Sequence, residues 1–282
     1  MKRRVVVAGA TGTIGRALTA RLHEQGRQVI GISRTASAPG HVRLDLTSSS
    51  SSWPRWPATD VTFVCIGAGG LEACERDPAG TRRVNVDAVA ALARHAAAAG
   101  SSVVLVSSAH VFDGTKPVAH AADPRQPQTA YGRQKEEAEL AVLEQRGAAV
   151  LRCSKIIGRG DTRLTAWRHA LLAGRSIEAF DDLPVAPLSI ADVVTALEKI
   201  GDAGQSGIFQ LSGFETTYFA MALALARHLD VDRSLVRRAS AEAAGMPAAF
   251  RPRGVRLEQA LPFPFEVTPL DVAIAHALES RL

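Results

Sequence analysis

Short apolar runs alternate with longer segments of helical periodicity along the first two thirds of the chain. The first run, at residues 5–8, leads through a glycine-rich turn into Ile14, Leu18 and Leu22, whose spacing is that of a helix. Comparable runs predict strands at residues 28–32, 42–44, 61–66, 103–106 and 149–152. Periodic segments predict helices at 13–25, at 84–99 and from about residue 129. This order of elements predicts an α/β fold with a doubly wound (Rossmann) parallel sheet.

The last part of the chain has a less regular pattern. We expect helices within residues 161–174, at 189–200, at 216–229 and at 269–281, and a strand at 207–211. Ser189 followed by Asp192 predicts a capping box at the start of the second of these helices. We therefore expect a cofactor-binding domain over residues 1–153 and a small, mainly substrate-binding lobe over 154–282, with segments at about 189–211 returning to the first domain.

Composition narrows the classes of protein that remain. The 282 residues suffice for one large domain, or one with a small appendage, and 46% hydrophobic residues argue against disorder. The net charge of +5 comes from scattered arginines, which favours a soluble basic surface or an anionic cofactor and substrate over nucleic acid. Three cysteines without paired spacing indicate reduced thiols in a cytoplasmic protein, and no metal site or membrane-spanning segment is predicted.

Three glycines follow the first strand at intervals of three residues, and each suits a different requirement. Gly9 allows a sharp turn, Gly12 lets an anion approach the backbone, and Gly15 lets the helix pack closely on the strand. The free N–H groups of the first helical turn then face the anion. Between a strand and a helix, this spacing predicts a dinucleotide-binding turn. The other residues of this predicted site are Thr11, Thr13 and Ile14.

Two more loops extend the predicted cofactor site. Ser33 and Arg34 follow the second strand, where an acid would bind the ribose 2′-hydroxyl of NAD and an arginine accommodates the 2′-phosphate of NADP. NADP(H) is therefore favoured over NAD(H), the alternative being a solvated loop arginine. Loops at the carboxyl ends of parallel strands line the ligand crevice, which places Ile66, Gly67 and Ala68 beside the cofactor.

A tyrosine and a lysine supply the candidate chemistry. Tyr131 and Lys135 are four residues apart in a predicted helix, so both project from one face. A tyrosine free in water has a pKa of about 10, and a neighbouring ammonium stabilises its phenolate, which makes such a pair an acid and base near neutral pH. Ser108 follows the fifth strand, where its hydroxyl can hold a substrate oxygen against the tyrosine. The alternative is an unrelated surface tyrosine, lysine and serine.

Two further phrases complete a family pattern. Residues 73–78 read ACERDP, and residues 83–87 read RVNVD and lead into the long central helix. With the glycine turn, the serine after the fifth strand and the YxxxK spacing, the chain resembles the extended short-chain dehydrogenase/reductase superfamily. The resemblance is to dTDP-4-dehydrorhamnose reductases and NAD-dependent epimerase-like sugar-nucleotide enzymes, and it covers residues 1–160 well and the remainder loosely. Asn85 suits a buried structural hydrogen-bonding role better than a catalytic one.

The resemblance implies roles for individual residues. Tyr131 would protonate the substrate carbonyl oxygen, Lys135 would also bind the nicotinamide ribose, and Ser108 would orient the substrate. Asp45, with Leu46 after it, stands where these families contact the adenine ring, although by its chemistry Asp45 equally suits a helix cap.

The chain departs from the family pattern at several positions. Residues 107–114 read SSAHVFDG where the reductases have STDYVFDG, so Ala109 cannot supply the acid that related dehydratases use. His110 occupies the place of a second acid/base residue in an epimerising relative, and it is either a second proton donor or a polar wall of the pocket. Lys155 and Arg251 are candidates for binding an anionic substrate, with solvated side chains as the alternative.

These features predict an NADPH-dependent ketoreductase of the extended short-chain type. Its small-molecule substrate is by default a nucleotide-linked 4-keto sugar, an expectation that rests on the resemblance. The alternatives are a sugar-nucleotide epimerase with tightly held NAD(P) and a non-catalytic dinucleotide-binding regulatory subunit. Apolar faces at residues 84–99 and 131–146 suit a homodimer, which in this superfamily forms through a helix bundle.

Overall fold

The computed structural model describes residues 4–35 and 40–279. The chain divides into two compact units, each built from segments that are separate in sequence. Unit 1 contains the described residues of Met1–Val111, Arg125–Arg152 and Val194–Phe209. Unit 2 contains those of Phe112–Pro124, Cys153–Val193 and Gln210–Leu282.

The strands of the described chain are mostly short, and the longest lie in the first half. They are β1 (Arg4–Ala8), β2 (Gln28–Ser33), β3 (His41–Arg43), β4 (Val61–Val64), β5 (Ser102–Ser108), β6 (Val118–Ala119), β7 (Ala149–Cys153), β8 (Lys155–Ile157), β9 (Ile177–Phe180), β10 (Pro184–Val185), β11 (Pro187–Ser189), β12 (Gly207–Leu211), β13 (Thr216–Thr217), β14 (Val236–Ala239) and β15 (Arg256–Leu257).

The α-helices lie between these strands in the sequence, except the last, which follows β15. They are α1 (Thr13–Glu24), α2 (Leu71–Arg76), α3 (Pro78–Arg82), α4 (Val89–Ala98), α5 (Ala130–Leu143), α6 (Thr162–Leu172), α7 (Ile190–Ala203), α8 (Tyr218–His228) and α9 (Leu270–Leu278). Short 3-10 turns occupy Ser50–Ser52, Ala109–Val111, Arg233–Leu235 and Ala248–Phe250. In the described residues, no helix combines the length and the apolar character that crossing a bilayer requires.

Seven strands of the described chain form one sheet, in the order β12-β7-β5-β4-β1-β2-β3. β1 is parallel to both of its neighbours, with Val6 opposite Ile30 of β2 and Thr62 of β4. β3 is parallel to β2, and β5 is parallel to β4. Each residue of β4 and all but the first of β1 are buried, as expected for strands covered by helices on both faces. The predicted doubly wound parallel fold is confirmed.

The strand order places a topological switch between β1 and β4. From β1 the chain moves outward to β2 and β3, and it then returns to add β4 on the other side of β1. Crossover loops leave these two strands in opposite directions, which opens a crevice outside their carboxyl ends. The glycine turn after β1 and the loop after β4 both lie at this edge of the sheet.

The long central helix differs from the expectation of a regular helix over residues 84–99. It starts at Pro78, where the Asp77 side chain accepts a hydrogen bond from the Gly80 N–H, and it continues to Ala98. Between α3 and α4 the six residues Arg83–Ala88 form a π-helical segment. Such a segment inserts one extra residue in the turn, and here it contains the buried side chain of Asn85.

Unit 2 combines helices with two-stranded ladders: β10 with β13, β11 with β8, β14 with β9 and β15 with β6. Its apolar core contains side chains from α6, α8 and α9, including Leu164, Leu225 and Ile274. The predicted capping box at the start of α7 forms only in part, because Ser189 caps the helix and Asp192 does not bond back to it. Asp192 accepts hydrogen bonds from the N–H and the hydroxyl of Thr268, because that distant segment supplies both donors, while the Ser189 hydroxyl accepts from the N–H of Ala191.

Candidate active site

The glycine turn after β1 is shaped by close backbone contacts. Gly9 has a φ of 85°, and a Cβ on it would lie 2.8 Å from the carbonyl oxygen of Cys65. A Cβ on Gly15 would collide with the carbonyl oxygen of Gly9. Only glycine meets both conditions, because the first requires a left-handed backbone and the second leaves no room for a side chain. Gly15 therefore supports the turn by packing, as a buried residue in the first turn of α1.

The start of α1 fits a phosphate-bearing group. Gly12 is its N-cap, in an extended conformation, and within the described chain no side chain caps this helix end. The first turn carries no acidic residue, and Thr11, Gly12 and Thr13 are exposed. A helix N-terminus with free N–H groups and a partial positive charge attracts an anion. The predicted residues thus suit the diphosphate of a dinucleotide.

The residues assigned to the adenosine end lie at the ends of β2 and β3. Arg34 is exposed, whereas Ser33 is buried and its hydroxyl donates to the carbonyl oxygen of Thr35. Asp45 is exposed, and one carboxylate oxygen accepts from the N–H and the hydroxyl of Thr47. These bonds hold the pKa of Asp45 below its usual value, with smaller contributions from Arg34 and Arg43. Arg34 therefore lies close enough to Asp45 for their charges to interact.

Leu46 and Ile66 have a different place from the other predicted cofactor residues. Both side chains pack on the apolar core of unit 1, where Ile66 is buried and Leu46 is partly buried. Gly67 is exposed, and a Cβ on it would meet no atom within 4 Å. The loop after β4 therefore presents backbone and open space, the type of surface that a flat cofactor ring can approach.

Asn85 fixes this loop to the helix that carries the candidate chemistry. Its side-chain oxygen accepts from the N–H of Ala68 at 2.7 Å, and its amide nitrogen donates to the carbonyl oxygen of Ala68 at 3.1 Å. The same nitrogen donates to Gln134 of α5 at 2.7 Å. Asn85 is 2% exposed, so these bonds are made away from water. Its side chain acts as a buried bridge, as the sequence favoured.

Tyr131, Lys135 and Ser108 come together in unit 1, from α5 and the end of β5. Thr129 caps α5 by accepting from the Gly132 N–H, which places Tyr131 in the first turn. Lys135 Nζ lies 5.9 Å from the centroid of the Tyr131 ring. This ammonium is buried and donates to the carbonyl oxygen of Val106 at 3.1 Å. A partly exposed phenol beside a buried cation is an arrangement suited to proton transfer.

His110 joins the same group of residues. Its ring meets that of Tyr131 edge to face, with centroids 5.8 Å apart, and its backbone N–H donates to the Ser108 hydroxyl at 3.3 Å. Burial lowers the pKa of His110, so the ring is neutral at pH 7. A neutral ring is a hydrogen-bonding group, and it does not add a second positive charge beside Lys135.

Cys65 is a further neighbour that the sequence did not assign to the site. Burial raises the pKa of its thiol to about 12, and the charge of Lys135 opposes this shift in part. The thiol is therefore protonated at neutral pH and does not neutralise the lysine. Within the described residues, no group of three or more His, Cys, Asp or Glu side chains forms a metal site.

A buried ion pair lies behind the candidate residues. Arg152 of β7 donates to both carboxylate oxygens of Glu139 on α5, and its Nη2 lies 2.7 Å from one of them. The Ser107 hydroxyl donates to the same carboxylate at 2.5 Å. Our sequence interpretation missed this network. The available signal was Glu139 itself, placed four residues after Lys135 on one helix face.

The two predicted substrate-binding residues lie in unit 2 and are engaged there. Lys155 is half-exposed, and its Nζ lies 3.2 Å from the carboxylate of Asp161, which caps α6. Arg251 donates to the carbonyl oxygen of Met246 and lies 3.3 Å from Glu242. Local pairing therefore accounts for both side chains, and their role towards a substrate stays a prediction.

Comparison with known proteins places the chain in a family. The model of the RmlD substrate binding domain matches residues 3–262. The chain belongs to that family. The RmlD-family protein is 28% identical over 255 residues to a dTDP-4-dehydrorhamnose reductase of Mycobacterium tuberculosis, covering 87% of this chain and 82% of that protein. The resemblance expected from the motifs is confirmed at the level of the family.

The chain is also similar to proteins that are named as subunits of another enzyme. The chain is 29% identical over 272 residues to the methionine adenosyltransferase 2 subunit beta of Bos taurus, covering 91% of this chain and 80% of the bovine protein. Among solved structures, a dTDP-4-dehydrorhamnose reductase from Bacillus anthracis in complex with NADP superposes with a TM-score of 0.87. That likeness, at 19% identity and with 98% of this chain and 99% of the other covered, shows the shared fold.

Proposed function

We propose that this RmlD-family protein is an NADPH-dependent reductase of a carbonyl group in a small substrate, by default a nucleotide-linked 4-keto sugar. The observation that carries the proposal is the arrangement on α5: a buried ammonium at Lys135 lies 5.9 Å from the ring of Tyr131. A protein that only binds a dinucleotide has no need of an acid poised in this way. The reductase named among its relatives supports the substrate class.

Three side chains would each have a separate role in the proposed reaction. Tyr131 would give its proton to the substrate carbonyl oxygen, and Ser108 would hold that oxygen by a hydrogen bond. Lys135 would stabilise the phenolate left behind and bind the ribose. The cofactor, held at the α1 N-terminus, would supply the hydride. The Gly9–Gly15 turn and Arg34 are the groups proposed to bind it, with Arg34 on the 2′-phosphate.

Tyr131→Phe tests the proposal, because it removes one hydroxyl and leaves the ring in place. We expect NADPH oxidation with a keto-sugar nucleotide to fall by about 100-fold or more, while the affinity for NADPH, measured by fluorescence, stays unchanged. Tyr218→Phe, in unit 2, is the matched control and should keep full activity. Equal activity of wild type and Tyr131→Phe would refute the assignment of the acid.

The epimerase alternative differs in its net use of cofactor. An epimerase oxidises and reduces the same sugar carbon, so it consumes no NADPH overall. Progress curves that follow NADPH and sugar product together distinguish the two. Stoichiometric NADPH oxidation supports the reductase, and product formation without it supports the epimerase.

The bovine relative favours one further candidate, a regulatory subunit of a methionine adenosyltransferase. This role would use the dinucleotide-binding turn without the proton transfer. It predicts that the protein changes the rate of a methionine adenosyltransferase assayed with it, and that Tyr131→Phe produces the same change. If the protein reduces a keto sugar and leaves the rate of the methionine adenosyltransferase unchanged, this candidate is excluded.

A further inference from the structure

Consecutive residues at the end of β5 are bonded to the helix that carries the candidate acid. The carbonyl oxygen of Val106 accepts from Lys135 at 3.1 Å, and the next residue, Ser107, donates its hydroxyl to Glu139 at 2.5 Å. The third, Ser108, is the candidate substrate-orienting residue. The lysine and the glutamate are one helical turn apart on α5, so β5 contacts both on the same helix face.

Glu139 is a buried carboxylate beside the buried guanidinium of Arg152. Its side chain is fully buried and Arg152 is 1% exposed, so the charge of the carboxylate needs a partner inside the protein. Lys135 lies four residues earlier on the same helix, the spacing of a helical ion pair. The carboxylate instead pairs with Arg152 through both of its oxygens, and Lys135 donates to a neutral carbonyl. The charge of the carboxylate is thus matched by Arg152 and not by the ammonium of Lys135.

We propose that Arg152 is a positioning residue that acts through Glu139: by binding this carboxylate, it reserves the positive charge of Lys135 for the phenolate of Tyr131. The proposal rests on the proposed function only where it calls Tyr131 the proton donor. The effect of the buried charges on the phenolate is independent of any substrate. Arg125, whose guanidinium lies 3.8 Å from Glu139, is 24% exposed and gives weaker support to the same carboxylate.

Other titratable groups face this region from neighbouring elements. The carboxylate of Glu75 on α2 accepts from the N–H of Ala130, one residue before Tyr131. His110 contacts the phenol ring, and Cys65 lies near the lysine. All of these groups stay unchanged in the variants below. Their contributions therefore cancel when the variants are compared with one another.

The composition of the chain permits a direct measurement. It has two tyrosines, so in a Tyr218→Phe background the ultraviolet absorbance of phenolate reports Tyr131 alone. We expect Arg152→Met to raise the midpoint of this titration and Glu139→Gln to lower it, each by about one pH unit. A unit charge at Glu139, two helical turns or about 12 Å from Tyr131 along α5, produces such a shift at an effective dielectric constant of about 20, and Arg152 carries the opposite charge beside it.

The double variant Glu139→Gln/Arg152→Met decides whether charge or packing causes the shifts of the titration midpoint. It removes both charges, so we expect its midpoint to return to that of the background protein. Single variants that move the midpoint in the same direction, or a double variant that stays shifted, would overturn the proposal. An unchanged midpoint in both single variants would overturn it as well. If Arg152→Met does not fold, the lowered midpoint of Glu139→Gln and its recovery in the double variant test the same claim.

An exposed ion pair between α3 and α5 supplies the matched control. Arg82 lies 2.7 Å from Glu137, and both side chains are more than 40% exposed. We expect Arg82→Met and Glu137→Gln to leave the midpoint in place, because solvent screens these charges. The titration needs neither substrate nor cofactor. A protein that shows the expected pattern but reduces no keto sugar would retain this inference and overturn the proposed function.

Discussion

Gly15 lies where α1 packs against the turn after β1, and the backbone there leaves no room for a side chain. A Cβ on it would collide with the carbonyl oxygen of Gly9. We expect Gly15→Ala to destabilise the fold by about 2–3 kcal/mol and to abolish NADPH binding, because the turn must open to admit the methyl group. Gly67→Ala, in the loop after β4, is the control, since its Cβ would meet no atom within 4 Å. Urea unfolding and NADPH fluorescence measure the two effects.

His110 makes the stability of the fold depend on pH, because burial lowers the pKa of its ring below the usual value. In the unfolded chain the ring takes up a proton near pH 6.5, whereas the folded protein does so only at lower pH. The stability contributed by the neutral ring is therefore present above pH 6.5 and is lost as the pH falls through the lower, folded value. We expect the unfolding free energy of wild type to fall between pH 7 and pH 5 more steeply than that of His110→Gln. Parallel curves for the two proteins would contradict this.

At the scale of elements, the π-helical segment between α3 and α4 holds the loop after β4 against α5. Asn85→Ala removes the partners of the Ala68 N–H and the Gln134 side-chain oxygen, both inside the protein. We expect a loss of about 2–4 kcal/mol in urea unfolding, together with weaker cofactor binding. Asp87→Ala, in the same segment but exposed, should change either quantity little. Weaker binding without loss of stability would indicate that Asn85 touches the ligand instead.

The elements that sequence reasoning predicted well are those with a clear period. β1, β4 and α1 carry apolar runs or helical spacing that arise from their own contacts, and the structure places them within two residues of the expected bounds. The ladders of unit 2, such as β10 with β13, contain two to four residues per strand, too few to show a clear period. Their pairing depends on distant partners, which a local pattern does not record.

In the candidate site, too, the features with a local sequence pattern were predicted and the contacts between distant elements were not. Glycine spacing and YxxxK have fixed local geometry, so the sequence alone predicts Gly9 and Tyr131 as site residues. The ion pair of Glu139 with Arg152 joins α5 to β7 across the core, and neither residue has a local signature that names its partner. The bridge from Asn85 to Ala68 likewise spans 17 residues and an unpredicted π turn. Packing between elements, which these contacts report, is the part that sequence periodicity leaves undetermined.

The whole molecule carries a net charge of +5, and an anionic cofactor would be attracted by it as well as by its own contacts. NADPH has one phosphate group more than NADH, so its proposed binding should depend more strongly on ionic strength. We expect a change from about 0.05 to 0.5 M salt to weaken NADPH binding several-fold more than NADH binding, because screening shortens the reach of exposed charges. Fluorescence titrations of both cofactors at each salt concentration measure this difference.

Arg34→Ala separates the local from the global contribution to this salt dependence. Arg34 is exposed at the end of β2, in the position proposed for the 2′-phosphate. If it binds that group, the variant loses about tenfold or more in NADPH affinity, keeps its NADH affinity, and shows the same salt dependence for both cofactors. Arg233→Ala, an arginine of unit 2, keeps the same net charge as Arg34→Ala and should behave as wild type in NADPH preference. Equal losses in the two variants would assign the preference to the overall charge of the molecule and would refute the role of Arg34.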